Sequence, residues 1–454
     1  MKPTLAMVLA VLAVLALGAC RNYTHFERTA GGGGQDGSMH DDASVQVDGS
    51  VDGGLLGDGG KTGCVLAGLG NLDANPAVNI KTETPHSIMD SPTSVALVQL
   101  ADGNSTALGL YPGVPNATLW RIDNINGNAA STTHYPLGSP ASSFAAILAP
   151  DGKIHVVIVL TGTVNTYSTT EYVLEGMGLK QVNVLSSVWL PSSIAFGDLD
   201  ADGHPDLLVG ISETAGASPY PRIFLYPGTA ATIGADLTYL GGMRTDVKLS
   251  VANPTALLSF PAAATPGAVF LAVLQRAVPD TNMTSKLELL EFDKAAPGQF
   301  VPKSVTLPSS LPTHTTTMTA ADIDNDGRDD LVLGGEKTST MDSLFAVTQL
   351  GNTNAYKPIA VDGSVFGLQR IDWNRDGADD LFLWRQPSTM TTWLVPTILQ
   401  NRGGGRFDTQ LPATGINWVS YAAAPLIQSP VAQACPPLLF FSDTVNTSMS
   451  VFGP

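Results

Sequence analysis

The sequence predicts an all-β fold, a seven-bladed β-propeller in which each blade is a sheet of about four short strands. Three observations predict it. Only 14% of residues are charged, while glycine and proline number 46 and 31, which is a turn-rich profile. No apolar pattern with helical period is sustained beyond the first twenty residues or so. From residue 64 onward, an Asp-Gly pair followed by an apolar run recurs about every fifty residues. One such unit cannot bury both of its faces alone, so the units must stack, and a ring is the natural way to stack them.

The chain begins differently. Met1-Lys2 is a short basic start, and Leu5 to Leu17 is an apolar run without a charge. The run is too short for a comfortable membrane span and reads as the core of a signal peptide, residues 1–19. It ends Leu17-Gly18-Ala19-Cys20. Small residues before a cysteine resemble the lipobox of bacterial lipoproteins. That resemblance implies cleavage before Cys20 and lipid on its sulfur and amino group. Several acyl chains anchor stably where one is marginal. The residue after the cysteine is Arg21, not the Asp that often marks inner-membrane retention. The expected location is therefore extracytoplasmic, at the outer membrane or cell surface.

Residues 20–63 hold Gly31 to Gly34 and a series of Asp-Gly pairs, with almost nothing apolar to bury. Such a segment cannot offset its ordering entropy and is expected to be a flexible tether. The repeated domain follows, over 64–454. Its strongest units are centred on Asp202-Gly203, Asp326-Gly327 and Asp376-Gly377. Weaker copies stand at Asp102-Gly103 before Ala107 to Leu110, and at Asp151-Gly152 before Val156 to Leu160. Degenerate ones stand at Ala263 to Gly267 before Val269 to Val273, and at Ala432 to Phe441. A second mark is a strand ending in a glycine turn, as in Gly109-Leu-Tyr-Pro-Gly113, Ile223-Phe-Leu-Tyr-Pro-Gly228 and Ile398 to Phe407.

These residues carry a resemblance. Phe196-Gly-Asp-Leu-Asp-Ala-Asp-Gly-His-Pro-Asp-Leu207 and Ala321-Asp-Ile-Asp-Asn-Asp-Gly-Arg-Asp-Asp-Leu331 resemble the FG-GAP-like repeat, as does the turn from Ile398 to Phe407. This repeat builds the β-propeller of integrin α chains and occurs in many secreted bacterial proteins. The resemblance covers three full units and four degenerate ones, from about residue 90 to 445. It implies that an N-terminal strand completes the last blade. Cys64 opens the domain and Cys435 lies in the last unit, so a disulfide between them is expected to staple that closure. It would close a loop of about 370 residues, contributing on the order of 5 kcal/mol on a chain-entropy model.

The acidic loops have their own chemistry. Calcium takes six to eight hard oxygen ligands at flexible angles. Alternate acids at positions one, three and five, a glycine at six, a carbonyl at seven and a carboxylate at nine supply them in one hairpin. The first loop offers Asp198, Asp200, Asp202, the carbonyl of His204, and Asp206. The second offers Asp322, Asp324, Asp326, the carbonyl of Arg328, and Asp330. The third offers Asp372, Asn374, Asp376, the carbonyl of Ala378, and Asp380, and with one carboxylate fewer should bind more weakly. Asp329 and Asp379, at position eight, are expected to face solvent, as is the ring of His204. An EF-hand needs Glu at position twelve and flanking helices, but Val209, Leu333 and Leu383 stand there, so that reading fails. Magnesium favours a strict octahedron and retained waters, which suits a dense carboxylate loop poorly. The expected cofactor is thus about three structural calcium ions.

The net charge of −17 disfavours nucleic acid as a partner, because phosphate binding needs a basic face. The seven histidines are scattered, with no close metal-ligand pair, and no nucleophile elbow, phosphate loop or zinc-protease motif is present. No catalytic residue is therefore assigned. The six tryptophans are read chiefly as core, with Trp373 as the best surface aromatic. The expected role is a membrane-anchored module for binding, adhesion or scaffolding, with a protein or glycan ligand. A propeller enzyme acting on polysaccharide, as lyase or hydrolase, and a multivalent lectin are the alternatives.

Overall fold

The computed structural model describes residues between 94 and 410, with breaks in connecting segments, and three strands between 423 and 452. The signal peptide, Cys20, the tether, Cys64 and Cys435 lie outside the described residues. So do residues 372–377 of the third acidic loop.

Every described regular element is a strand, and consecutive strands pair antiparallel into sheets. The first sheet is β1 (Ser94–Gln99), β2 (Ser105–Tyr111), β3 (Thr118–Asp123) and β4 (Ser131–Pro136). The second is β5 (Ala141–Leu148), β6 (Ile154–Thr161), β7 (Tyr167–Glu175) and β8 (Gly178–Ser187). The third is β9 (Pro191–Gly197), β10 (Asp206–Ile211), β11 (Arg222–Tyr226) and β12 (Thr245–Lys248). The fourth is β13 (Ala256–Ala262), β14 (Ala268–Gln275), β15 (Lys286–Phe292) and β16 (Pro302–Val305). The fifth is β17 (Thr315–Ala321), β18 (Asp330–Gly335), β19 (Leu344–Thr348) and β20 (Ala355–Pro358). The sixth is β21 (Ser364–Ile371), β22 (Asp380–Gln386), β23 (Val395–Asn401) and β24 (Phe407–Gln410). A last sheet has three described strands, β25 (Ala423–Pro425), β26 (Leu439–Asp443) and β27 (Ser448–Phe452).

The sheets are arranged as a propeller. The first strands touch in sequence, β1 to β5, β5 to β9, and so on to β21 and β25, and β25 returns to β1. Each Asp-Gly mark, intact or degenerate, falls between the first and second strands of its sheet. The mark at Gly109 to Gly113 differs from expectation, since Gly109 to Tyr111 end β2 and do not begin a further strand.

Burial explains why the units need neighbours. Inner strands are covered on both faces: all seven residues of β9 and of β17 are buried. Such strands read as near-continuous apolar or small-residue runs, without clean alternation. Outer strands are largely exposed, as in β16 and β20. The core is divided into wedges, each shared by two adjacent sheets. Phe144 and Val156 pack with Leu108 and Leu119 between the first and second. Phe196 and Phe224 pack with Val157 between the second and third. Leu271 and Phe292 pack with Leu208 and Leu225 between the third and fourth. Phe345 packs with Phe270 between the fourth and fifth. Leu383 and Leu399 pack with Val332 between the fifth and sixth.

Candidate metal centres

The first acidic loop joins β9 to β10, and the second joins β17 to β18. Asp206, Asp330 and Asp380 hold the same place in their sheets. Each opens a second strand and pairs with the last residue of the first, Gly197, Ala321 and Ile371 respectively. All three are buried.

The two described loops repeat one another bond for bond. Asp198 accepts the backbone N–H of Asp202 at 3.1 Å and of Gly203 at 2.9 Å. Asp322 accepts those of Asp326 at 3.0 Å and Gly327 at 2.8 Å. Asp202 accepts from His204 N–H at 2.8 Å, and Asp326 from Arg328 N–H at 2.9 Å. Asp206 and Asp330 reach back to the N–H of the residue at position two, Leu199 at 2.7 Å and Ile323 at 3.2 Å. The glycine at position six has φ of 89° in one loop and 85° in the other, as a left-handed turn requires. Position four is left-handed too, at Ala201 (54°) and Asn325 (60°).

These bonds turn the acids inward. Oxygens of Asp198, Asp200 and Asp206 lie within 4.8 Å of one another, as do oxygens of Asp322, Asp324 and Asp326. Asp202 stands outside the first trio, and Asp330 outside the second. Burial pushes Asp206 up to about 8, against the N–H bonds it accepts from Gly228 and Leu199. Burial, then the charge of Asp324, pushes Asp330 up to about 8. Asp198, Asp322 and Asp324 are also raised, burial first in each case. Asp324 Oδ1 is buried and accepts no hydrogen bond. An all-oxygen donor set that resists ionising alone fits a hard divalent cation, whose charge would restore the carboxylates.

Each loop is also wedged between sheets. Leu199 and Ile323, at position two, are 0% exposed and belong to the wedges shared with the following sheet. Position two is thus a core anchor. Trp373 holds it in the third loop and lies outside the described residues. Trp120 and Trp384 are buried, in line with a core role.

Two expectations need correction. Asp379 is not solvent-facing but 6% exposed, and Asp329 is only partly exposed. The cause is Arg370 at the end of β21. Its Nε donates to Asp379 at 2.8 Å and its Nη1 to Asp329 at 3.0 Å. Asp379 also accepts the N–H of Asp322 at 2.7 Å. Position eight of the second and third loops is therefore an ionic clasp between the fifth and sixth sheets. The other correction concerns His204, which is half-buried with its Nδ1 out of solvent, not exposed.

Sequence reading missed the donors that finish each site. Gly228 N–H donates to Asp206 at 2.8 Å, and Asn401 N–H to Asp380 at 2.7 Å. A Cβ on Gly228 would stand 2.3 Å from the carbonyl of Pro205, so only glycine fits against the loop. The periodic glycine turn was visible; its role as a lid on the acid was not. Asn401 Nδ2 also reaches the carbonyls of Asp322, Ile323 and Asp379.

A family model for the FG-GAP repeat matches residues 190–217, which span β9, the first acidic loop and β10. No curated protein matches the chain. Among solved structures it is similar to the Dos1 propeller, at 9% identity over 80% of this chain and 92% of that one, with a TM-score of 0.43. It is also similar to BBS1N in its complex with ARL6DN, at 10% identity over 81% and 93%, with a TM-score of 0.48. A mutant of the Synechocystis apocarotenoid oxygenase gives 13% identity over 72% and 73%, with a TM-score of 0.44. Likenesses at this level carry no argument about activity. The ring of antiparallel sheets makes the protein a β-propeller, and its third sheet carries an FG-GAP repeat.

Proposed function

We propose that this chain is a seven-bladed, calcium-stabilised propeller serving as a binding, adhesion or scaffolding module of the cell envelope. The observation that carries the reading is the pair of acidic loops with one shared hydrogen-bond pattern, each wedged against the next sheet. Asp198, Asp206, Asp322 and Asp330 are committed to backbone N–H groups of the hairpin, and within each loop three acids bring oxygens together. That arrangement holds an ion in place and leaves no evident coordination position for a substrate, which favours a structural over a catalytic metal.

Three calcium loops follow from the same pattern in the third hairpin, where Asp380 and its Asn401 partner keep the arrangement of Asp206 and Gly228. The first residues of the mature chain carry the anchor, with lipid on Cys20 and a flexible tether to residue 63. A segment opening at Cys64 adds an outer strand to the last sheet, and a Cys64–Cys435 disulfide fastens it. That sheet has three described strands where the others have four. Labelling of denatured, unreduced protein should find no free thiol at either cysteine.

The partner is a surface protein or glycan met on the ring. A glycan array and a surface-protein array, with reducing ends monitored for turnover, test the role. Saturable binding without turnover supports it. Release of reducing ends would make the protein an enzyme on polysaccharide instead.

A further inference from the structure

The second sheet carries no acidic loop. Its β5–β6 turn keeps Asp151 of the pattern and little else. A charged site is built there by other means. His155, the second residue of β6, is 0% exposed. Its Nδ1 lies 3.0 Å from Oε1 of Glu171 on β7, and its Nε2 lies 3.1 Å from Oδ2 of Asp151. A neutral imidazole has one N–H, and an ionised carboxylate can only accept. Both contacts are hydrogen bonds only if the ring carries two protons or an acid carries one.

The acids' other bonds locate the proton. Glu171, also fully buried, accepts the N–H of Tyr239 on both oxygens at 3.0 Å and the N–H of Leu240 at 3.1 Å. Asp151 accepts the N–H of Lys153 at 3.0 Å. These bonds use the oxygens of both acids as acceptors. The ring is then the group that carries both protons.

We propose that His155 is held as an imidazolium through neutral pH, as a built-in cation that fastens the second sheet to the third. It holds Asp151 and Glu171, and Glu171 in turn holds the Tyr239–Leu240 segment between β11 and β12. A proton here does for one junction what a metal does for others. That comparison rests on reading the acidic loops as calcium sites, whereas the charge on His155 does not.

The groups around the ring agree. Asp151 faces it from the turn and Glu171 from β7. Lys153 turns its ammonium away, to Glu175 at 3.2 Å. From between β11 and β12, the Tyr239 ring meets it edge-on at 5.7 Å, and the charge of Asp206 also acts on that phenol. Burial works to lower the imidazole pKa, but the bonds to Glu171 and Asp151 and their charges outweigh it and raise it. A raised histidine contributes its stability in full below the unfolded pKa, about 6.5, and loses it as pH rises through the folded value.

The test is nitrogen-15 NMR of the imidazoles in the full chain, titrated from about pH 5 to 10 in excess chelator so that the acidic loops are metal-free. One of the seven histidines should keep both ring nitrogens protonated at a pH where the others have lost one, above the ordinary histidine range. His155→Gln should remove that signal. Glu171→Gln, which keeps the shape but not the charge, should move it to lower pH, and this second variant serves if the first does not fold. A neutral tautomer at pH 6 to 7, or a titration unmoved by Glu171→Gln, overturns the proposal. Because no metal is present, failure of the calcium reading would leave this result intact.

Discussion

Asp379 accepts the backbone N–H of Asp322 across the junction of the fifth and sixth sheets, at 2.7 Å. One acidic loop is thereby tied to the next through a residue that binds no metal. Arg370 balances the charge by holding both Asp379 and Asp329.

Removing Arg370 should therefore cost stability. Arg370→Met leaves two poorly exposed carboxylates facing each other without a cation. With the arginine side chain 24% exposed, the loss should be about 2–3 kcal/mol, below the range for a fully buried pair. Urea unfolding of the variant checks this, and restoring most of the loss with Asp379→Asn in the same chain would show that the cost lies in the orphaned charge.

Ala201 offers the opposite kind of change. It sits at φ 54°, a conformation that costs an alanine about 1 kcal/mol, while the second loop places Asn325 at the same position. Ala201→Asn should stabilise the protein by about 0.5–1 kcal/mol without altering the metal ligands. Thermal melting in calcium reads it, and a lower midpoint would show that the loop is not built as described.

Leu199 ties the first loop to the wedge between the third and fourth sheets. Leu199→Ala should cost about 2–5 kcal/mol through lost burial and a cavity. It should also weaken calcium binding at that loop, since the lost side chain anchors the backbone whose N–H bonds Asp206. Calorimetric titration with calcium at a temperature where the variant is folded separates the two effects.

The metal-free loops set a pH dependence. Folding raises Asp206 and Asp330 from the usual 3.8 to about 8, chiefly by burial. The folded chain then binds protons that the unfolded chain releases. Their contribution is fully present below about pH 4 and is lost as pH rises towards 8. In chelator, the unfolding midpoint should fall across that window, and calcium should suppress the fall by taking the proton's place. Asp206→Asn should flatten the share of the first loop. A chelated midpoint that rises with pH between 5 and 8 contradicts the scheme.

What was legible in the sequence was whatever repeats. The Asp-Gly spacing located the first-to-second strand turn of each sheet, and the alternate acids located two loops whose oxygens do converge. What was not legible crosses from one sheet to another. Arg370 is an ordinary basic residue until β21 sets it beside Asp329 and Asp379. His155 is one of seven scattered histidines until β7 and the β11–β12 segment close on it. Position two gave no sign of its role at Leu199 and Ile323, because the wedge that buries them is made by the following sheet. A period identifies contacts within a unit, whereas contacts between units depend on the ring.

The most direct measurement is the thermal midpoint of the full chain in about 10 mM calcium against excess chelator. At affinities of 10⁻⁴ to 10⁻³ M, typical of extracellular sites, each filled loop should add roughly 1.4–2.7 kcal/mol. The midpoint should rise by several degrees with calcium, and Asp198→Asn with Asp322→Asn should remove most of the rise. An unchanged midpoint at saturating calcium would contradict the claim that these loops hold a cation to pin one sheet against the next.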